Sequence, residues 1–150
     1  MVVGAEGTSD LFLLLIVLRT MGQIVGRTRL QKVIYLLRQR YQLPFSFRFK
    51  PYFYGPYSEE LSDAVENLVA LGMIEENRRY LDEGVIEYSY KLTKRGTDFL
   101  DTNAAGDVAR KPPLGANLSR AIRELALPTY ALVATAKSVM SSSTVRAVTA

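Results

Sequence analysis

Apolar positions recur along the first two thirds of the chain with helical spacing, broken by a short stretch of alternation. Leu11 to Leu18 is an unbroken apolar run of eight residues. With Thr8 or Ser9 as cap and Asp10 in the first turn, it predicts a helix that stops at Gly22. Leu11, Leu14, Leu15 and Leu18 form one face, with Leu13, Ile16 and Val17 roughly opposite. A helix apolar on both sides must be covered on both sides, by the C-terminal segment or by a second subunit.

A second helix is expected after a Thr28 cap. Leu30, Val33, Ile34, Leu37 and Tyr41 make one stripe, and Arg29, Lys32, Leu36 and Arg40 gather on another side. Phe45, Phe47 and Phe49 alternate with Ser46, Arg48 and Lys50, a strand pattern ending at Pro51. The seven aromatics Phe45, Phe47, Phe49, Tyr52, Phe53, Tyr54 and Tyr57 are expected to serve core and turn packing, and Gly55-Pro56 marks a turn. Ser58 then caps a third helix, with Glu59 and Glu60 in its first turn and Leu61, Ala64, Val65, Leu68 and Leu71 buried.

Met73-Ile74 predicts a very short strand. Residues 79–81 and 85–92 predict a β-hairpin turning at Asp82-Glu83-Gly84, with Ile86, Tyr88, Tyr90 and Leu92 on the covered face. Thr93 caps a fourth helix to about Asp101, with Phe99 and Leu100 inward. Gly106, Pro112, Pro113 and Gly115 mark a linker. A fifth helix opens at Asn117 or Ser119 and ends before Pro128, a sixth covers Thr129 to about Met140, and SSSTVRAVTA is a loose tail.

The expected fold is mainly α with a small β-hairpin (α+β), a winged helix-turn-helix domain plus a C-terminal helical extension. The expected organisation is a lead over 1–8, the domain over 9–102, a linker over 103–116, a helical dimerisation segment over 117–142 and a flexible tail over 143–150.

Composition narrows the chemistry. The chain has 150 residues, with no cysteine and no histidine. That excludes disulfides, thiolate zinc sites, Cys nucleophiles, Ser-His triads and imidazole ligands. Neither GxGxxG nor GxxxxGK[ST] occurs. The acid pairs Glu59-Glu60, Glu75-Glu76 and Asp82-Glu83 take structural positions rather than metal-ligating ones. No enzymatic activity, metal or cofactor is expected. The eight-residue apolar run is far below a membrane span, and no basic residue precedes it as in a secretory signal. A cytoplasmic protein without membrane contact is expected.

Charge is segregated. Residues 1–57 carry eight bases against two acids, residues 58–103 eleven acids against five bases, and residues 104–150 six bases against two acids. Such asymmetry points to an anionic partner for the basic faces or to complementarity between subunits.

GRTRLQKVIYLL (26–37), FYGPYSEELSDAVENLVALGMIEE (53–76) and YKLTKRGTDFL (90–100) resemble the YwgA-like family of small bacterial and archaeal proteins. The LQK…Y and YGP elements are also similar, more distantly, to the Panacea domain of SocA-type antitoxins. The resemblance covers roughly residues 10–101 and implies a fold more than an activity.

A winged helix ordinarily sets cationic side chains of its third helix in the major groove. Here that helix offers Glu59, Asp63 and Glu66 outward and no Lys or Arg, so insertion is disfavoured. Two readings stay open. In one, double-stranded DNA is bound through phosphate contacts from helix two and the wing: Arg27, Arg29, Lys32, Arg40, Arg78 and Arg79. In the other, the chain is a protein-interaction module, an antitoxin- or adaptor-like binder using Glu59, Asp63 and Glu66, or a homodimerising scaffold.

Overall fold

The computed structural model describes the backbone of residues 4–103 and 114–149, and side chains over 10–103 and 117–142. The order is α1 (Gly4–Met21), β1 (Ile24–Val25), α2 (Arg27–Tyr41), β2 (Lys50–Tyr52), β3 (Gly55–Tyr57), α3 (Glu59–Ala70), β4 (Ile74–Tyr80), β5 (Ile86–Leu92), α4 (Lys94–Thr102), α5 (Leu114–Glu124) and α6 (Thr129–Thr149). A single 3-10 turn, Asp82–Gly84, joins β4 to β5. The α+β class expected from the pattern is observed. Among the described residues two antiparallel sheets form, one of three strands in the order β1-β5-β4 and one of two, β2-β3.

α1 is as apolar as its sequence promised, and every residue from Leu13 to Leu18 is at most 2% exposed. Its covers come from the same chain: α4, β5 and α5 pack on it. Phe12 stacks on Phe99 at 5.3 Å, and Arg19 pairs with Asp101 at 3.1 Å. A second subunit is therefore not needed to hide this helix. The helix begins at Gly4, so Asp10 sits inside it rather than in its first turn. Asp10 is buried, accepting the backbone N–H of Ser46 at 2.9 Å and the Ser46 hydroxyl.

α2 is the central helix. It starts one residue before the expected cap, because Gly26, at φ 103°, turns the chain out of β1 and its carbonyl accepts from Leu30 N–H. No side-chain cap forms there. The stretch after α2 keeps the alternating burial that its sequence predicts, with Leu43, Phe45 and Phe47 inside. It pairs with no strand, however, and the ladder begins only at Lys50, so Pro51 lies within β2 rather than ending a strand.

Ser58 caps α3 as expected, its hydroxyl accepting from Leu61 N–H at 3.1 Å. Leu61, Ala64, Val65 and Leu68 are buried, whereas Leu71 falls past the helix end and is 49% exposed. The second hairpin is present with a longer first strand than expected, since Ile74 already belongs to β4 and pairs with Leu92. Its far end stands free of the core, leaving Tyr80 74% exposed. Thr93 caps α4, accepting from Gly96 N–H at 3.0 Å. A β-carbon at Gly96 would meet the Met73 carbonyl oxygen at 2.3 Å, so only glycine lets α4 approach the turn before β4 this closely.

The C-terminal helices join the same core. Leu118, Ala121, Leu125, Leu132 and Ala136 belong to one buried cluster with α1 and α2. α5 packs on α1 and α2, and α6 on α2 and β3. α5 opens three residues before Asn117, and the α6 backbone continues through most of the expected tail. The expected linker lies outside the described residues over 104–113, as do the tail's side chains.

Candidate functional site

Two sequence motifs, whose contacting residues stand 27 positions apart, meet at one place. Gln31 of α2 is 4% exposed and grips the backbone of Ser58: its side-chain NH2 donates to the Ser58 carbonyl at 2.9 Å, and its side-chain oxygen accepts from Ser58 N–H at 2.9 Å. Lys32, the next residue, donates to the Pro56 carbonyl at 2.8 Å. The LQK and YGPYS segments thus form one interlock that fixes the turn into α3. Buried backbone groups need such partners, and here side chains supply them.

The interlock floors a cleft of about 440 Å³. Its walls are Arg27, Thr28, Gln31 and Lys32 of α2, Tyr52, Tyr54 and Tyr57 of the β2-β3 hairpin, Ser62, Glu66, Val69 and Ala70 of α3, and Glu76, Arg78 and Tyr90 of β4 and β5. That volume is typical of small-molecule sites, as is the mixture of aromatic walls and a few convergent polar groups. Tyr52 and Tyr57 lie with ring centroids 5.4 Å apart, and the Tyr57 hydroxyl is 3.0 Å from Ser62 Oγ. Burial, and then the Glu76 carboxylate beside it, push the Tyr90 hydroxyl well above its ordinary range. Burial, and then Lys137 of α6, pull the Lys32 ammonium down to about 8.

The six cations singled out from the sequence are not one patch. Lys32 is 2% exposed and turned inward, because α6 covers the side of α2 that the sequence marks as basic. Arg29 is committed to the end of α5, donating to the Leu127 carbonyl at 2.5 Å and to the Leu125 carbonyl at 3.4 Å. Arg79 pairs with Glu87 at 3.0 Å. Arg40 is exposed at the far end of α2, about 20 Å along the axis from Arg27. Only Arg27 and Arg78 converge, their guanidinium carbons 3.5 and 5.5 Å from the centre of the Tyr88 ring. Tyr88 thus packs against the edge of the core, as its covered-face position predicts, and carries the two cations over its ring.

Glu59, Asp63 and Glu66 all point to solvent. Glu59 lies 3.5 Å from Lys50, and Glu66 lines the cleft. Glu60 does more than suit the helix start: it accepts from the Arg48 backbone N–H at 2.6 Å, and that bond holds its carboxyl below the usual range.

The aromatic segment divides. Phe45 and Phe47 are core, as expected, while Tyr52, Phe53 and Tyr54 are 59%, 82% and 65% exposed at the hairpin tip. The turn that Gly55-Pro56 marks in the sequence also supplies cleft walls, through Tyr54 and Tyr57. The available signal was the adjacency of Pro51 to three aromatics, since a proline within a short strand marks an edge rather than a core.

Among the described residues no helix is long and apolar enough to cross a membrane. No protein-family model matches the chain. Over 80 residues the chain is 44% identical to the protein named Uncharacterized protein YwgA from Bacillus subtilis (strain 168). The match takes in 53% of this chain and 47% of that protein, so the chain spans about half the length of the curated relative it matches. The similarity supports a YwgA-like sequence over that stretch, and the relative's name carries no activity.

Proposed function

We propose that the chain is a non-catalytic binding protein of winged helix-turn-helix type whose ligand site is the cleft between α2, α3 and the two hairpins. The order helix, strand, helix, helix, hairpin, with the short β2-β3 hairpin inserted between α2 and α3, supports the architecture, as does the short β1 pairing with β5. The observation that carries the function is the 440 Å³ cleft itself, with four tyrosines and a buried lysine facing it. Its position matters, because it separates α2 from the solvent-facing side of α3 and reaches the base of the β4-β5 wing. A bound molecule there bears on the geometry of both, which is what a ligand-responsive regulator requires.

Titrating a set of small aromatic compounds at about 1 mM, a concentration suited to weak fragment binding, tests the reading by NMR. Shifts should concentrate on the rings of Tyr52, Tyr54, Tyr57 and Tyr90 and vanish in Ala70→Trp, which fills the cleft. Shifts confined to other rings, or unaffected by the tryptophan, would overturn it.

The pairing of Arg27 of α2 with Arg78 of the β4-β5 wing over Tyr88 favours a second reading, DNA-associated regulation. Phosphate contacts would come from Arg27, Arg78, Arg79 and Arg40, with α3 held away by its acids and with Arg29 and Lys32 already engaged internally. Gel retardation at about 50 mM salt that disappears in Arg27→Glu/Arg78→Glu supports it; no retardation removes it. A partner protein, the competing occupant of the outer face, would instead lose affinity on charge reversal at Glu59, Asp63 and Glu66.

A further inference from the structure

The end of the cleft nearest the β2-β3 hairpin holds a positive charge without a counter-charge. Lys32 is 2% exposed, and the partner of its ammonium is the neutral Pro56 carbonyl. Lys137, an exposed residue of α6 outside the cleft lining, approaches Lys32 from the other side of the hairpin at Gly55. The two side chains flank Gly55, where a β-carbon would stand 3.1 Å from Lys137 Cγ and 3.6 Å from Lys32 Cε. Among the described residues, no carboxylate lies within ion-pair distance of either lysine. A buried ammonium with an exposed ammonium near it, and only a carbonyl for company, is an arrangement that folding opposes.

The remaining charges facing the cleft do not neutralise this end. Glu76 of β4 lies 3.8 Å from Arg78 and beside Tyr90, and Glu66 of α3 is exposed. Arg27 and Arg78 add positive potential at the wing side. The hairpin wall, by contrast, is aromatic and accessible, with Tyr52 and Tyr54 more than half exposed.

We propose that the cleft takes a small aromatic anion, its carboxylate or phosphate neutralising Lys32, with the nearby Lys137 adding to the positive potential there, and its ring lying against Tyr52, Tyr54 and Tyr57. This rests on the reading of the cleft as a ligand site and adds the charge and shape of the occupant. The anion replaces the missing counter-charge in a partly dry setting, where Coulomb attraction is stronger than in water. The ring gains contact area on tyrosines held by the hairpin. The depressed Lys32 pKa, about 8, adds a pH signature: deprotonation above it removes half of the receptor's charge.

Matched pairs of probes separate charge from shape: 2-naphthoate against 2-naphthamide, and 2-naphthyl phosphate against 2-naphthol. Calorimetric titration of the full chain at pH 7 should show each anion binding about 10-fold or more tighter than its neutral partner. The two anions together reveal whether carboxylate or phosphate is preferred. The naphthoate advantage should shrink severalfold between pH 7 and pH 9.5, over which the probe stays ionised while Lys32 loses its proton. Lys137→Glu, at an exposed position that leaves the core intact, should erase the advantage; Lys32→Met should erase its pH dependence. Equal affinity of anion and neutral partner at pH 7, or an advantage untouched by Lys137→Glu, overturns the anion proposal and leaves the cleft reading standing. No binding by any of the four probes, with no tyrosine shift, overturns both.

Discussion

Lys32 shows how burial changes what a residue is for. On a helical wheel it sits with Arg29 and Arg40 and belongs to a basic surface. In the fold α6 lies over that surface, and the ammonium turns into the cleft to hold the Pro56 carbonyl. Its pKa falls from 10.5 to about 8 because burial, and secondarily Lys137, disfavour the charged form. Between these values the unfolded chain binds a proton that the folded chain has released. Stability of the unliganded protein therefore rises with pH through this window. The buried tyrosines Tyr35, Tyr41 and Tyr90 act oppositely, but only above their ordinary value of 10. Urea denaturation from pH 7.5 to 10 should show a gain of roughly 2–3 kcal/mol, reduced to near zero in Lys32→Met. A flat or falling profile in the parent protein would contradict the burial of a charged amine.

Between elements, the strongest single device is the hold of Gln31 on Ser58. Gln31→Leu keeps the volume and leaves the Ser58 N–H and carbonyl buried without this partner, at a cost of about 3 kcal/mol. The expected loss is measurable by urea unfolding. Ser62→Ala removes a weaker 3.4 Å contact to the same amide and the 3.0 Å contact with the Tyr57 hydroxyl, and should cost less, about 1 kcal/mol. The elements themselves were mostly legible in the sequence. Caps at Ser58 and Thr93, the acidic first turn of α3, and the hairpin turn at Asp82–Gly84 all follow from local chemistry that operates where the sequence places it. What local chemistry does not contain is which faces are covered. Leu36 and Lys32 share a face with arginines and are buried by a helix a hundred residues later. The cleft escaped for the same reason: Lys32, Tyr54, Glu66 and Tyr90 come from four elements, and no spacing rule links them.

At the scale of the molecule, the chain closes its own core. α1 could have required a partner, but α4, β5 and α5 enclose it, and α6 packs against α2 and β3. The two C-terminal helices are thus part of the folded unit they follow. A chain ending at residue 103 would uncover the sites now filled by Leu118, Ala121, Leu125, Leu132 and Ala136, and would leave Arg29 without its carbonyl partners. Losing five buried aliphatic contacts at about 1–3 kcal/mol each is as large as the whole stability of an ordinary domain. Such a truncation should fail to give a cooperative thermal transition by circular dichroism. A sharp transition within a few degrees of the full chain would show that residues 10–103 stand alone.

The concentration of phenol side chains around the cleft has a practical corollary. The chain contains nine tyrosines and no tryptophan, and four of the nine border this one opening. Ultraviolet emission from the native protein therefore originates in large part at its mouth and walls, with no indole to mask it. An absorbing or quenching guest would dim that emission directly, so the molecule carries its own optical gauge of occupancy and needs no attached dye.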